Sequence, residues 1–460
     1  MGAPFVLTPA RRRLPSVALS AEQMLSGIRT WQVFALALAL RLPIAWLRPL
    51  EPHAENIKSG FTLGLHGYLG DPFAIPTGPT AHVAPAYPAL VAAVRSITPS
   101  DSACMHTLSV IMAVVSACNI AALLPVSRAL RLPRAAGTIA ALLWLMPVFA
   151  WIEVSAEFET PLTVAALLAL MTLVARTIER QPATIGTGAR LGLAVGLAAY
   201  VTPTVLPAIT FATLAAARLA RWSIRSVLAV GVGAAVLFTV AVSPYTLRNH
   251  QVFGEWFLMR DDFGLELAIS NGPNARATKD ENTDLEGSVL NRHPSASRTS
   301  AALVKELGEV HYNHLMQRTA VAWIKANPAE FMALVAQRAG YMLLPRSLRW
   351  SQTIIAGLIS MMTIAGCVLL WDSRYRFGIQ CLTAAVVGYL LVYLLIEHDI
   401  RYMYPALFLE SLIAGSFLAV LGRIGRDRDA LSGALTAGTT GTAGKFSENV
   451  ASELRSHWPR

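Results

Sequence analysis

The chain has 460 residues, of which 54% are hydrophobic and only 14% charged. A soluble domain carries about 25% charged residues, and a disordered chain lacks apolar surface to bury, so both classes are excluded for most of the length. Lys and Arg number 38 against 28 Asp and Glu, a net charge of +10, but these residues punctuate apolar runs instead of forming a patch, which is membrane topology and not a nucleic-acid surface.

Arg11, Arg12 and Arg13 precede the first apolar run, which begins near Trp31 and reaches about Leu47. That run is too distant and too long for a signal-peptide core, so it reads as a spanning helix behind a cytoplasmic segment, 1–27. A span needs about 20 apolar residues. Candidates lie at 28–47, 105–127, 135–152, 160–177, 224–244, 351–371, 377–396 and 403–422. The stretch 189–217 is broken at Thr202-Pro203, with Pro207 following, and reads as one kinked span or as a hairpin of two short helices.

Charge favours the hairpin. With the N-terminus inside, the inner loops hold Arg128, Arg131 and Arg134, then Arg176, Arg180 and Arg190, then Arg218, Arg221 and Arg225. Arg374 and Arg376 follow, and Arg423, Arg426 and Arg428 begin the tail. The outer loops at 153–160 and 201–204 hold no Lys or Arg. The expectation is an all-α polytopic membrane protein with about ten transmembrane helices and both termini cytoplasmic.

Its divisions are an N-terminal membrane module, 28–244, with a first outer loop at 48–104; a large outer loop, 245–350; C-terminal membrane helices, 351–422; and a tail, 423–460, disordered toward its Gly- and Thr-rich end. Both long loops carry expected interfacial helices: Pro88 to Ile97, an amphipathic helix over 300–326, and another over 329–344 behind Pro328. Cys104, Cys118, Cys367 and Cys381 have no metal-ligand spacing, and neither a metal site nor a cofactor is assigned.

Polar residues collect on the outer side. Glu51, His53 and Glu55 follow the first span; His82 and Tyr87 come next; Glu153, Glu157 and Glu159 lie in the second outer loop. Arg248-Asn249, Arg260 and Glu266 follow the 224–244 span, and His398-Asp399 with Arg401-Tyr402 form the last outer loop. Carboxylates serve as general bases and arginines fork onto phosphate. Both together beside lipid suit a lipid-phosphate substrate. Two charges fall inside spans: Arg41, placed to snorkel outward, and Glu410, expected to pair with a buried arginine. These and the Thr202-Pro203 break are what a transporter or lipid flippase, the alternative reading, would need.

Several segments carry a resemblance. "GPTAHVAPAYPALVAAV" is similar to the first outer loop of bacterial members of the glycosyltransferase-C superfamily, of the family 39 type that includes protein mannosyltransferases and aminoarabinose transferases. "SPYTLRNHQVFGEWFLMRDDFGLELAISN" resembles their Pro–aromatic–Arg–Asn, Phe-Gly and Gly-Leu-Glu-Leu block, and is the most specific part. The segment beginning "HPSASRTS", with its Leu-Gly-Glu and its Asn-Pro before a final Arg, and the loop "RYMYP" resemble later blocks, in order, over about residues 30 to 420.

The resemblance implies an inverting transferase that moves a sugar from a polyprenyl-phosphate donor to a glycan, lipid or protein acceptor at the periplasmic face of a bacterial inner membrane. An acid in the first outer loop acts as base in such enzymes; Glu55 sits nearest that position and Glu51 second. Arg248, Arg260, Arg401 and Asn249 become candidates for the donor phosphate. His53, His82, Tyr87, Glu157, Glu266, His398, Asp399 and Tyr402 become candidates for the substrate pocket.

Overall fold

In the computed structural model, residues 24–25, 27–47, 54–155, 157–179, 183–284 and 292–436 are described. Glu51 and His53, and the tail beyond Thr436, lie outside them. The described residues form helices joined by loops, with two isolated β-bridges.

The first membrane helix, α1, is Thr30–Leu47. The loop after it carries α2 (Glu55–His66), ended by Gly67 in the left-handed region, and α3 (Ala86–Ile97). Ser100 caps α4 (Asp101–Ala129) by accepting from the Ala103 amide. The next apolar run is not one straight helix. α5 (Ala136–Leu145) stops before Pro147, and the chain resumes through α6 (Ala150–Glu153) at a bend of 48°.

α7 (Thr160–Glu179) is followed by α8 (Ile185–Ala199), α9 (Val205–Leu219) and the long α10 (Ile224–Phe253). Beyond the Gly254 cap come α11 (Phe263–Ser270), α12 (Lys279–Asp284), α13 (Arg298–Leu307), α14 (Glu309–Ala326) and α15 (Pro328–Leu343). The expected single helix over 300–326 is thus two, broken where Gly308 adopts φ 83°. α16 (Trp350–Leu370), α17 (Arg376–Leu390) and α18 (Ile400–Thr436) complete the set, α18 running past the expected end of its span at 422.

Seven of these helices are long and apolar enough to cross a membrane, and the bent pair α5–α6 makes an eighth. The chain is an all-helical, multi-pass membrane protein. The 189–217 stretch is two separate helices, each of 15 residues. At 1.5 Å rise per residue each is about 22 Å long, short of the ~30 Å hydrocarbon core.

α8 compensates by lying very close to α10. Gly188, Gly192 and Gly196 form a small-residue stripe, and a Cβ on Gly188 or Gly192 would sit 1.9 Å or 2.0 Å from the carbonyl oxygens of Val230 or Ala234.

The interior centres on α18, whose residues from Met403 to Leu409 pack against α5, α16 and α17. Trp144 stacks on Phe408 with ring centroids 4.0 Å apart. Arg41 does not snorkel. It is fully buried, 2.5 Å from Glu153 and hydrogen-bonded to Ser116 Oγ at 3.0 Å and the Trp144 carbonyl at 2.6 Å. A carboxylate at the α6 terminus satisfies it better than a headgroup reached from a buried face. Glu410 has a hydroxyl partner instead of an arginine: Ser360 Oγ donates to it at 2.8 Å.

Loop contacts define two ends of the bundle. At one, Leu130 and Leu132 meet Gly378, Arg218 reaches Gln380 at 3.2 Å and Arg423 reaches the Tyr375 hydroxyl at 3.1 Å. The loops that carry the arginines of 128–134, 218–225 and 374–376 therefore share that end with Arg423. At the other, the Ala86 amide donates to the Tyr200 carbonyl at 3.0 Å, so the α8–α9 turn joins the first long loop.

Candidate active site

The second end holds the polar constellation. Its foundation is a turn in the first loop. Asp71 Oδ1 accepts from the Thr77 and Gly78 amides, both at 2.8 Å, and Tyr68 donates to Oδ2 at 2.8 Å. Gly78 takes φ 89°, which excludes most side chains there. The turn delivers Thr80, Ala81 and His82, all buried.

Three distant charged residues clamp that backbone. Glu309, at the start of α14, accepts from Thr80 Oγ1 at 2.5 Å and from the Ala81 amide at 2.7 Å. Arg248 donates to the Thr80 carbonyl at 3.0 Å and the Leu69 carbonyl at 3.3 Å. Arg260 Nε donates to the His82 carbonyl at 2.9 Å, while its Nη2 pairs with Asp262 at 2.5 Å.

Glu55 begins α2 and faces this turn. Its Oε2 lies 3.1 Å from His82 Nε2; its Oε1 accepts from Ser295 Oγ and lies 3.6 Å from His293 Nδ1. Burial pushes the Glu55 carboxyl up, but the His82 and His293 imidazoles and the hydrogen bonds from His82 and Ser295 outweigh it and hold the group well below the usual carboxylate range. Burial opposes charge on His82, yet Glu55 alongside raises its pKa to about 9. His293 Nε2 faces Glu266 Oε1 at 3.9 Å. Burial raises the Glu266 carboxyl, and His293 more than reverses that.

The next residue links this cluster to the last loop. Asn56 Nδ2 donates to Glu159 Oε2 at 2.8 Å, and Glu159 exerts its field on both Arg260 and Arg401. Arg401 donates to Asp399 Oδ2 from Nε and Nη2, both at 2.8 Å, and its guanidinium lies 4.1 Å from the Phe158 ring centre. Burial raises the Asp399 carboxyl, but Arg401 pulls it down to about 2. Tyr402 stacks on Tyr393 at 4.8 Å.

The last loop is pinned from beneath by Arg338, which is fully buried on α15. It donates to Asn271 Oδ1 at 3.0 Å, to the Leu394 carbonyl at 3.3 Å and to the Ser270 carbonyl. Asn271 in turn donates to the Leu395 carbonyl at 2.8 Å.

Of the residues singled out in the sequence, Glu55, His82, Arg260 and Glu266 converge, with Arg401, Asp399 and Tyr402 alongside. Others stand apart. Tyr87 is buried in the apolar cluster of Ile57, Val91 and Met105. Asn249 is fully buried and donates to the Leu258 carbonyl at 3.0 Å. His398 faces the Arg346 carbonyl at 3.1 Å. Glu157 sits at the Ser155–Glu157 turn, its amide on Ser155 Oγ at 3.1 Å.

His293, Ser295, Asp262 and Glu309 join the constellation although none was singled out. Glu309 lies inside the recognised Leu-Gly-Glu, and His293 and Ser295 open the same resembling segment, but their polar loop has no periodicity that would point them at Glu55.

No protein-family model and no curated protein matches the chain. Among solved structures it is similar to the Archaeoglobus fulgidus oligosaccharyltransferase in the apo form, at 13% identity and a TM-score of 0.49, over 88% of this chain and 52% of that one. It is also similar to that enzyme's complex with Zn and sulfate, at 12% identity and a TM-score of 0.48, over 91% of this chain and 52% of that one. The chain spans about half the length of those structures.

Proposed function

We propose that the chain is an integral-membrane glycosyltransferase that moves a sugar, with inversion, from a polyprenyl-phosphate donor to an acceptor on the side opposite its arginine-rich loops. The observation that carries this reading is that Glu55 faces His82, whose carbonyl accepts from Arg260, while the neighbouring Asn56 reaches Glu159, whose charge acts on both Arg260 and Arg401, so three loops far apart in sequence meet. The block resemblance described above supports the same class.

In this reading the acceptor hydroxyl or phosphate oxygen attacks the anomeric carbon and gives its proton to Glu55. Polyprenyl phosphate leaves. A phosphate is already a fair leaving group, so the protein's main tasks are to accept one proton and stabilise the departing charge. Glu55, held ionised by its neighbours, is ready for the first; Arg260 and Arg401 serve the second. Glu51 remains the second candidate for the base.

The prenyl chain has a place to lie. A cavity of about 340 Å³, lined by Leu63, Tyr68, Tyr245, Arg248 and Val252 among others, adjoins the first-loop turn. Arg248 uses three of its five N–H groups on Thr80, Leu69 and Asn249, and the others can meet the donor phosphate. The positive-inside rule supports a cytoplasmic arginine-rich end, and in this reading the site faces the periplasm of a bacterial inner membrane. The transporter alternative is weakened by the buried partners of Arg41 and Glu410, which serve packing.

The test is release of free polyprenyl phosphate from a panel of polyprenyl-phosphate sugars by the purified chain, with Arg401→Ala as the comparison. Wild-type release that falls about 10²–10³-fold in the variant supports the reading. Absence of release from every donor, with membrane extracts as acceptors, contradicts it.

A further inference from the structure

We propose that the stretch 277–282 is a strap closed over the last outer loop, and that the Glu397 carboxyl beneath it is the strap's latch, closed while Glu397 carries a proton and loosened when it is ionised. The closure is made of polar contacts. The His398 amide donates to the Ala277 carbonyl at 2.7 Å, and the Lys279 amide donates to the His398 carbonyl at 2.9 Å. Asn282 Nδ2 donates to Glu397 Oε2 at 2.7 Å, and Lys279 Nζ lies 4.0 Å from Asp399 Oδ2.

The Asn282 side chain has a fixed orientation. Its Oδ1 accepts from the Arg276 amide at 2.7 Å, which turns Nδ2 toward Glu397. Both residues are buried. The residues that the strap turns inward are Ala277, Thr278 and Asn282, and none of them is a large apolar group. A segment held by polar contacts with little apolar burial opens at low free-energy cost. The charge on one buried carboxyl is then enough to shift its equilibrium.

The groups around Glu397 make it the one that titrates near neutrality. Burial raises its pKa to about 7; the Asn282 hydrogen bond opposes this, Glu266 of α11 and Asp399 of its own loop add to it, and Lys279 of the strap lowers it. Arg338 of α15 shares a field with it. Asp399 and Glu266, both raised by burial, are pulled below their ordinary ranges by Arg401 and His293 and stay ionised. Burial pushes the His398 imidazole below its ordinary 6.5. An ionised Glu397 therefore adds a negative charge beside those of Glu266 and Asp399. Opening the strap gives that charge to water, so ionisation favours the open form.

The latch reaches Arg401 through Asp399, which accepts from the Arg401 side chain at Nε and Nη2 and from its backbone amide, all at 2.8 Å. A loosened strap frees the His398 backbone and withdraws Lys279 from Asp399. The inference stands without the transferase reading. Where that reading holds, the latch ties the placement of Arg401 to the pH of the compartment that the site faces.

The experiment follows amide hydrogen exchange by mass spectrometry on the full chain in detergent at pH 6 and pH 8, with rates corrected for the intrinsic pH dependence of exchange. A Glu397 pKa of about 7 in the closed form, against 4.5 in the open one, makes opening about 10-fold more frequent at pH 8 than at pH 6. Peptides over 277–282 and 397–402 should show that rise. Glu397→Gln should abolish it and leave the strap protected, because the glutamine carbonyl still accepts from Asn282. Asn282→Ala should expose the strap at both pH values. Equal protection of the wild type at the two pH values, or a rise of the same size in Glu397→Gln, would overturn the proposal. The wild-type comparison decides even if a variant fails to fold. Because the readout is exchange and not turnover, its failure leaves the donor-release assay unaffected, and the converse also holds.

Discussion

The backbone carbonyl of His82 accepts a hydrogen bond from Arg260 Nε at 2.9 Å, across 178 positions of sequence. The arginine that faces the leaving charge in the proposed reaction thereby also positions the loop that holds Glu55. Arg260→Lys keeps the charge and loses the planar fork. Turnover of the donor is expected to fall about 10²-fold in the lysine variant and further in Arg260→Ala. Equal activity of wild type and Arg260→Ala in the donor-release assay would remove Arg260 from the site.

Glu309 accepts from the Thr80 hydroxyl and from the Ala81 backbone amide. Glu309→Gln replaces one acceptor oxygen by a donor and leaves one buried group unsatisfied, a cost of about 1–3 kcal/mol. The thermal midpoint in detergent should drop accordingly. An unchanged midpoint would mean that the turn holds itself.

Glu397 is 2% exposed, and Asn282 donates to it at 2.7 Å. Burial raises its pKa to about 7 in the fold, against an ordinary 4.5. The folded state therefore binds the extra proton between those values. Stability from this group is full below pH 4.5 and is lost as pH rises through about 7, by about 3 kcal/mol. Glu397→Gln keeps an acceptor for Asn282 and should raise the thermal midpoint at pH 8 while flattening its pH dependence. A Glu397→Gln chain less stable than wild type at pH 8 would contradict this.

Arg41 and Glu153 form a fully buried pair. Removing one partner strands a charge, at a cost of about 3–5 kcal/mol, whereas replacing both by apolar residues is often close to neutral. Arg41→Met should therefore lower the thermal midpoint sharply, and Arg41→Met/Glu153→Leu should recover most of the loss. Additive losses in the double variant would show that the pair is worth more than its apolar replacement.

Much of the bundle was legible because hydropathy and arginine bias are local signals. The spans at 28–47, 160–177 and 351–371 match α1, α7 and α16 within a few residues. Pro147 and Gly308 interrupt helices that periodicity alone carried through. The glycine stripe on α8 passes as ordinary apolar sequence until its partner is known. At the site, Glu55, His82, Arg260 and Arg401 stood out as charges beside spans. His293 and Ser295 could not, because only folding brings residue 293 to residue 55. Arg41 misled for a related reason: its partner, Glu153, lies 112 positions away and was read as an outer-loop carboxylate.

The most direct test of the account is polyprenyl-phosphate release by the purified chain, comparing wild type with Glu55→Gln. The account predicts release by wild type and a loss of about 10²–10⁴-fold in Glu55→Gln, measured below that variant's thermal midpoint, which falls because His82 loses its carboxylate partner. Full release by a folded Glu55→Gln chain would contradict Glu55 as the base.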